Sequence, residues 1–271
     1  MNTSRGEQAK PILVGVLNLT PDSFSDGGRH GDVESAVQAA LAMAEAGASW
    51  IDVGGESTRP GAVAVDARTE IDRVIPVIEL LASRLPPGIR ISIDTYKAET
   101  AAAAITAGAT IVNDVSGGQM DPEILRVGSG VTLVLGHMRG TPASMMAHAP
   151  FEDVVAEVQA DLEQCIRAAR KRGCKDVWWD PGIGFGKGLD ENLALIRQVA
   201  AMKTALGCPV MVGVSRKRFI GELTGRPVNN RVFGTAAAVA SLVWSGVDAV
   251  RVHDVPEMMD VVEVASAIAT P

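Results

Sequence analysis

The stretch PILVGVLN (residues 11–18) is a short apolar run that ends on a polar side chain, Asn18. Comparable apolar runs follow along the chain, at 49–54, 89–95, 110–115, 131–138, 176–180, 209–215 and 249–254. Short runs that are apolar throughout are typical of parallel strands buried on both faces. The pattern therefore predicts eight parallel strands.

The segments between these runs are long enough for helices, and two of them, at 32–48 and 151–173, are clearly amphipathic. Glycine, which accepts the left-handed backbone at a helix end, precedes several of the next strands: Gly47, Gly108, Gly173, Gly207 and Gly246. Strand and helix alternate over 271 residues without a linker, which favours a single (β/α)8 TIM barrel spanning 1–271. An open doubly wound sheet is the alternative, but it usually has fewer strands at this length.

Composition narrows the function classes. The net charge of −7 argues against a nucleic-acid partner, and no apolar stretch approaches the roughly 20 residues of a membrane span. The N-terminus lacks the apolar core of a secretion signal, and we expect residues 1–10 to form a disordered tail. Three cysteines without CxxC spacing indicate reduced thiols and a cytoplasmic location.

Polar side chains gather where the predicted strands end. In a barrel of this kind the active site lies at the carboxyl ends of the strands. The residues there are Asn18, Asp52, Asp94, Asn113, Asp114, His137, Met138, Asp180, residues 215–217, Arg251 and His253. Any one of them could cap a helix or start a turn, but so many on one rim indicate a site.

One group at this rim consists of hydrogen-bond acceptors. Asp94, Asn113 and Asp180 could bind a flat heterocycle rich in N–H groups. A carboxylate accepts two parallel N–H bonds, so Asp180 suits the edge of an amino-pyrimidinone ring.

The other group is cationic and consists of Arg59, Lys217, Arg251 and His253. Arg251 and His253 are two residues apart on a strand, so they point to the same side and could clamp an anion such as phosphate.

Two further motifs have plainer interpretations. GIGFGKG (182–188) lacks the residue pattern of a nucleotide-binding loop, and RAARKRG (167–173) is typical of a solvated helix end. No His or Cys spacing indicates a metal centre. A Mg²⁺ ion held by Asn18 and a substrate phosphate is compatible with the sequence.

Together the motifs resemble the dihydropteroate synthase family. The resemblance spans about residues 12 to 265 and rests on 15–28, 51–62, 92–99, 112–118, 180–187, 212–221 and 250–255. It implies a homodimeric TIM-barrel transferase of folate biosynthesis that uses Mg²⁺ and is a sulfonamide target. The reaction joins 6-hydroxymethyl-7,8-dihydropterin diphosphate to p-aminobenzoate, giving 7,8-dihydropteroate and pyrophosphate.

The resemblance also implies residue roles. The implied pterin-binding residues are Asp94, Asn113, Met138, Asp180, Phe185, Gly213 and Lys217. The implied pyrophosphate site comprises Asn18, Arg59, Arg251 and His253, with Asn18 also the metal ligand. The p-aminobenzoate site comprises Phe24, Thr58, Arg59, Pro60, Lys217 and Arg218, although many relatives have serine where Arg218 stands. Asp94, Lys217, Arg251 and His253 are the expected catalytic residues.

The first loop, NLTPDSFSDGG (18–28), fits this assignment as a lid. Glycine and small polar residues suit a loop that opens and closes, and Phe24 is its one large apolar side chain. We expect Phe24 to close against the second substrate.

Two other functions share parts of this pattern. A pterin-binding methyltransferase domain that passes a methyl group to a corrinoid partner would share the acceptors but would not need an anion clamp. A non-catalytic pterin-binding module would share the pocket alone.

Overall fold

The computed structural model describes residues 10–20, 28–59, 61–148 and 151–269. Its eight strands are all parallel and pair in the order β6-β5-β4-β3-β2-β1-β8-β7. They are β1 (Ile12–Asn18), β2 (Trp50–Gly54), β3 (Arg90–Asp94), β4 (Ile111–Asp114), β5 (Thr132–Gly136), β6 (Val177–Asp180), β7 (Met211–Gly213) and β8 (Ala249–Val252). Strands β6 and β7 meet through a bridge between Trp179 and Val210, so the sheet is a nearly closed barrel. The predicted fold class is confirmed.

Helices follow the strands and cover the outside of the barrel. They are α1 (Gly28–Glu45), α2 (Ala67–Arg84), α3 (Ala98–Ala107), α4 (Ile124–Val127), α5 (Val154–Lys171), α6 (Leu189–Leu206), α7 (Arg218–Thr224), α8 (Val232–Trp244) and α9 (Val255–Ala269). All five glycines predicted to follow helices have positive φ, from 61° at Gly207 to 121° at Gly108. The basic segment at 167–173 forms the last turn of α5 and the residues just after it, as expected of a solvated helix end.

The apolar residues form two separate clusters. The larger one lies between sheet and helices and includes Val250 and Val252, the two β8 residues that alternate with Arg251. The smaller one contains one buried residue from each of seven strands, namely Val14, Trp50, Ile111, Val134, Trp178, Met211 and Ala249. Within it the rings of Trp50 and Trp178 pack edge to face, with centroids 5.0 Å apart. Trp50, Trp178 and Ala249 have the parity of Asp52, Asp180 and Arg251 on their strands, so the cluster fills the barrel interior beneath the polar rim.

Strand register places a glycine beside three of the charged residues of that rim. Gly54 pairs with Asp94, Gly136 with Asp180, and Gly213 with Arg251. A Cβ at Gly54 or Gly213 would meet no atom closer than 3.6 Å, so these two pairings leave open space next to a charged group, and a ligand could enter there. At Gly136 the backbone of Val115 occupies that space.

Other sequence predictions meet the structure only in part. The three cysteines are free and buried, which agrees with reduced thiols. In the described ranges, no helix has both the length and the apolar character needed to cross a membrane. Residues 1–9 of the predicted tail, together with Phe24 and Pro60, lie outside the described residues.

Ile111→Ala tests whether the interior cluster supports the barrel. Ile111 is fully buried, so its truncation leaves a cavity and should lower the free energy of unfolding by about 2–5 kcal/mol. Urea denaturation measures this change. Val63→Ala, at a position 86% exposed, is the control and should change it by no more than about 0.5 kcal/mol. Equal stabilities of the two variants would contradict the packing described.

Candidate functional site

A cleft opens at the carboxyl ends of the strands, the place where barrels of this kind bind small molecules. Its lining residues are Thr58, Asp94, Asn113, Val115, Gly136, Asp180, Gly182, Phe185, Gly213, Lys217 and Arg251. The sequence predicts a site role for most of them: Thr58, Asp94, Asn113, Asp180, Phe185, Gly213, Lys217 and Arg251. The structure therefore brings together most of the predicted pterin-binding group.

Arg251 forms the centre of a buried ion cluster. Its Nε donates to Asp52 Oδ2 at 2.6 Å, and its Nη2 donates to Asp94 Oδ2 at 2.7 Å. Asn113 Nδ2 also donates to Asp52 Oδ2, at 3.0 Å. The second oxygens, Asp52 Oδ1 and Asp94 Oδ1, are buried and have no hydrogen-bond partner. Such orphaned acceptors are costly in a folded protein, so they mark the place where a donor from a ligand would bind.

The single positive charge of the Arg251 guanidinium does not balance two carboxylates that are buried beside it. Burial raises the pKa of Asp94 to about 7, because Arg251 opposes the shift only in part and Asp52 adds to it. Burial also acts to lower the pKa of Arg251, but Asp52 and Asp94 outweigh it and the net direction is upward. Arg251 is thus a permanent cation beside a carboxyl group that titrates near neutral pH.

Asp180 lies across the cleft from this cluster. Its Oδ1 accepts the Gly182 N–H at 2.7 Å, which fixes the orientation of the carboxylate. Burial raises the pKa of Asp180, and the Lys217 ammonium and the Gly182 N–H oppose that rise. A Cβ at Gly213 would lie 4.0 Å from Asp180 Oδ2. The missing side chain therefore leaves this oxygen open to the N–H edge of a ring.

Lys217 and Phe185 form one wall of the cleft. The ammonium lies 4.5 Å from the centroid of the Phe185 ring and donates to the Ile183 carbonyl. Burial lowers the pKa of Lys217 to about 8, and Asp180 limits the fall. The residue before it, Arg216, is the one non-glycine residue with positive φ (58°) in the described chain. The ion pair between the Arg216 guanidinium and Asp254 holds this strained turn in place. The turn thereby positions Lys217 at the cleft.

The predicted anion clamp is less cationic than the sequence suggests. Burial, aided by the charges of Arg251 and Arg216, lowers the pKa of His253 to about 4, so this ring is neutral at pH 7. His253 Nδ1 lies 3.0 Å from Ser215 Oγ, and the backbone N–H of His253 donates to the same hydroxyl. Arg59 is exposed. A neutral imidazole can still hydrogen-bond to a phosphate oxygen, but it does not add charge.

Asn18 is the predicted metal ligand and lies at the end of β1. Its Oδ1 is 3.7 Å from the place a Cβ would occupy at Gly54, and Asp94 Oδ2 is 3.6 Å from that place. In the part of the chain that the structure describes, no cluster of three or more His, Cys, Asp or Glu side chains could hold a metal. One amide oxygen beside an open space fits Mg²⁺ that takes its other ligands from water and a substrate diphosphate.

Four predicted residues are placed elsewhere or not described. Met138 is completely buried and does not line the cleft. Arg218 points along its own helix, where Nε donates to Glu222 Oε1 at 2.6 Å, so this exposed side chain is not directed at Lys217 or Asp180. Phe24 and Pro60 lie outside the described residues.

Some residues of the site were not predicted. Asp52 is a strand-end residue for which the sequence predicts no role, although its alternation with Trp50 places it inside the barrel. Glu56 is buried behind the loop that carries Thr58, accepts from the Tyr96 hydroxyl at 2.9 Å and is paired with Lys97. Lys187 is buried behind Phe185. Glu56 and Lys187 have no sequence signal of this kind. The partners of Glu56 come from another loop, and Lys187 binds backbone carbonyls of its own loop and of the loop after β5.

Comparison with known proteins agrees with this geometry. A model of the pterin binding enzyme family matches residues 14–253. The dihydropteroate synthase of Mycobacterium leprae is 45% identical over 268 residues, covering 94% of this chain and 92% of that protein. The chain belongs to the dihydropteroate synthase family.

Solved structures of the dihydropteroate synthase family share the whole fold. The Yersinia pestis dihydropteroate synthase, solved with a sulfonamide drug complex, has a TM-score of 0.90 and 37% identity, covering 100% of this chain and 99% of that one. The Xanthomonas albilineans enzyme in complex with 7,8-dihydropteroate has a TM-score of 0.85 and 40% identity, covering 97% of this chain and 95% of that one. The family assignment therefore extends over the barrel and its rim.

Asp94→Asn tests the ion cluster through the pH dependence of stability. The folded protein keeps the Asp94 proton up to about pH 7, whereas the unfolded chain releases it near pH 4. Between these values the folded state holds more protons, so its stability falls as pH rises. Relative to Asp94→Asn, the wild type should lose roughly 3–4 kcal/mol between pH 4 and pH 8. Urea unfolding at several pH values measures the difference, and a difference that stays constant would refute the shifted carboxyl.

Proposed function

We propose that this chain is the transferase that condenses 6-hydroxymethyl-7,8-dihydropterin diphosphate with p-aminobenzoate, releasing pyrophosphate and forming 7,8-dihydropteroate. The observation that carries the proposal is a cleft at the barrel mouth lined by Asp94, Asn113 and Asp180, within the dihydropteroate synthase family. The cleft is rich in acceptors for ring N–H groups, as a pterin requires.

The pterin ring binds between Asp180 and the ion cluster in this proposal. Asp180 accepts from the 2-amino group and the neighbouring ring N–H, since the open side beside Gly213 leaves its carboxylate accessible. Asn113 uses its amide nitrogen on Asp52, so its amide oxygen is the atom left for the ligand. Phe185 and Lys217 lie along the ring, where an aromatic side chain and a cation suit a flat heterocycle.

The diphosphate binds at the rim formed by Asn18, Arg59, Arg251 and His253. Arg251 is already shared by two carboxylates, and neutral His253 is held by Ser215, so these residues offer directed hydrogen bonds more than surplus charge. Asn18 would hold Mg²⁺ together with the diphosphate. When bound, the ion supplies the positive charge that stabilises the leaving pyrophosphate.

Loss of pyrophosphate leaves positive charge on the pterin methylene group. Asp94 supports that charge, because its Oδ1 is buried without a partner and the ionised carboxylate would be stabilised by a nearby cation. The amine of p-aminobenzoate then attacks the methylene carbon, and its nitrogen releases one proton to water once the C–N bond has formed. An aromatic amine is neutral at pH 7, so attack does not need a strong base, and a site without a nucleophilic Ser–His or Cys–His pair is sufficient.

p-Aminobenzoate approaches past Thr58 and Arg59. Thr58 lines the cleft, and Arg59 lies at its exposed edge, where it could pair with the carboxylate. Glu56 holds the start of this loop through Tyr96 and Lys97. Participation of Phe24 and Pro60, a homodimer, and a cytoplasmic location stay predictions. A methyltransferase handing a methyl group to a corrinoid partner is not favoured, because the full-length relative above is a dihydropteroate synthase.

Turnover by the purified protein tests the proposal. With both substrates and Mg²⁺, pyrophosphate should be released only when p-aminobenzoate is present, and chelation of the metal should suppress release. A coupled pyrophosphate assay measures both effects. Adding pyrophosphate and Mg²⁺ should also raise the affinity for 6-hydroxymethylpterin, which the methyltransferase alternative does not predict. Release that is absent, or independent of p-aminobenzoate, would overturn the proposal.

Asp180→Ala tests pterin recognition separately from turnover. Loss of charged hydrogen bonds to the ring should weaken binding of 6-hydroxymethylpterin by about 100-fold or more, measured by titration calorimetry. Asp176→Ala is the matched control at the opposite end of β6. Asp176 accepts from Thr132 and from the Trp178 indole, so its loss should reduce stability and leave pterin affinity intact. Retained affinity in Asp180→Ala would show that the carboxylate is not the ring acceptor.

A further inference from the structure

The segment GIGFGKG (182–188) follows an unusual backbone path behind the cleft. Its alternate glycines, Gly182, Gly184 and Gly186, have φ values of 68°, 82° and 63°. A Cβ at Gly182 would lie 1.9 Å from the His137 carbonyl oxygen, and one at Gly186 would lie 2.8 Å from the Met145 carbonyl oxygen. Glycines in the left-handed region thus alternate with residues of ordinary φ, and the segment winds directly against the loop that follows β5.

The ammonium group of Lys187 lies at the centre of this winding. Its Nζ donates to the carbonyl oxygens of Gly182 at 3.0 Å, Phe185 at 3.1 Å and His137 at 3.2 Å. The fourth contact is His137 Nδ1 at 3.0 Å. Lys187 is 5% exposed, so these groups replace water around the ammonium. One side chain thus joins the loop after β5 to the loop after β6.

The hydrogen-bond partners of this ammonium are neutral. Burial lowers the pKa of His137 to about 4, with Lys187 adding to the fall, so His137 is an uncharged acceptor whose Nε2 contacts Asp161 at 3.1 Å. Burial lowers the pKa of Lys187 to about 7; the charges of Asp180 and Glu191 oppose this fall, and those of Lys217 and Arg139 add to it. An ammonium that donates hydrogen bonds to backbone carbonyls fixes the path of the backbone. An ordinary ion pair joins two side chains and does not do this.

The wound segment carries two groups of the pterin site. The Gly182 N–H orients Asp180, while the Gly182 carbonyl is held by Lys187. Phe185 lines the cleft with its ring, while its carbonyl is also held by Lys187. Lys187 itself is not among the residues that line the cleft, so any effect on the ligand passes through Gly182 and Phe185.

We propose that Lys187 is a positioning residue for the pterin ring, whose ammonium fixes the 182–186 backbone so that Asp180 and Phe185 hold their binding positions. This inference rests on the proposed function for the identity of the ligand. It gives a role to a glycine-lysine motif that superficially resembles a nucleotide-binding loop. The lysine of this motif binds its own backbone instead of a phosphate.

Lys187→Met tests the inference, since it keeps the length of the side chain and removes its donors. Three backbone carbonyls and one imidazole nitrogen would lose their partner, and the segment should relax. We expect the KM for the pterin diphosphate and the Kd for 6-hydroxymethylpterin to rise on the order of 10–100-fold. The KM for p-aminobenzoate should change by less than about threefold, because Thr58 and Arg59 are on another loop.

Lys203→Met is the matched control. Lys203 Nζ also donates to a backbone carbonyl, Gly246 at 2.8 Å, and to Asp248 at 2.7 Å, but near the amino ends of the strands. It should lower the thermal midpoint without changing either KM. An unchanged pterin KM in Lys187→Met, or an equal rise in both KM values, would overturn the inference.

Asn192→Ala keeps the test decisive if Lys187→Met does not fold. Asn192 Oδ1 accepts the Gly184 N–H at 2.6 Å, and its Nδ2 donates to the carbonyls of Lys187 and Gly188. It supports the same segment from α6, so the pterin KM should again rise selectively, and an unselective or absent effect counts against the inference. Wild-type turnover separates the two hypotheses. If the wild type releases no pyrophosphate, the proposed function fails, while calorimetry with 6-hydroxymethylpterin still compares the wild type with both variants.

Discussion

The guanidinium of Arg251, shared between the carboxylates of Asp52 and Asp94, is the interaction on which the carboxyl end of the barrel depends. It joins β8 to β2 and β3 across the interior, just above the apolar cluster that contains Trp50 and Ile111. Burying one cation with two potential anions is expensive unless the groups are hydrogen-bonded. The cost is reduced because Asn113 donates to the same Asp52 oxygen and because Asp94 holds its proton more tightly than usual.

This arrangement also sets the electrostatics of ligand binding. The charge of Arg251 is balanced by Asp52 and Asp94, and His253 is neutral. These two residues therefore do not by themselves neutralise a diphosphate. The remaining positive charge would have to come from Lys217, exposed Arg59 and a divalent cation. The overall charge of −7 makes that local supply more important, because the field of the whole protein repels an anionic substrate.

The sequence predicted best those features that recur along the chain, such as apolar strands that end in polar side chains. Apolar runs predicted all eight strands to within a few residues at either end, and the rule that barrel sites lie at carboxyl ends located Asp94, Asn113, Asp180 and Arg251. The protonation state of His253 was beyond prediction, because burial and two neighbouring arginines determine it. Lys187 was beyond prediction for a related reason: its partners are carbonyl groups, which every residue has, and only the folded backbone decides which of them converge.

The left-handed glycines of the segment 182–186 have a consequence for inhibitors that occupy the cleft. At Gly182 and Gly186 a side chain meets both an unfavourable φ and a carbonyl oxygen of another loop, so very few sequence changes there leave a folded protein. Arg59, by contrast, is exposed, and a substitution there disturbs little packing. For a compound that binds mainly against Gly182 and Phe185, few resistance mutations in this wall are therefore compatible with folding. For a compound that binds mainly to the loop carrying Arg59, many resistance mutations are compatible with folding.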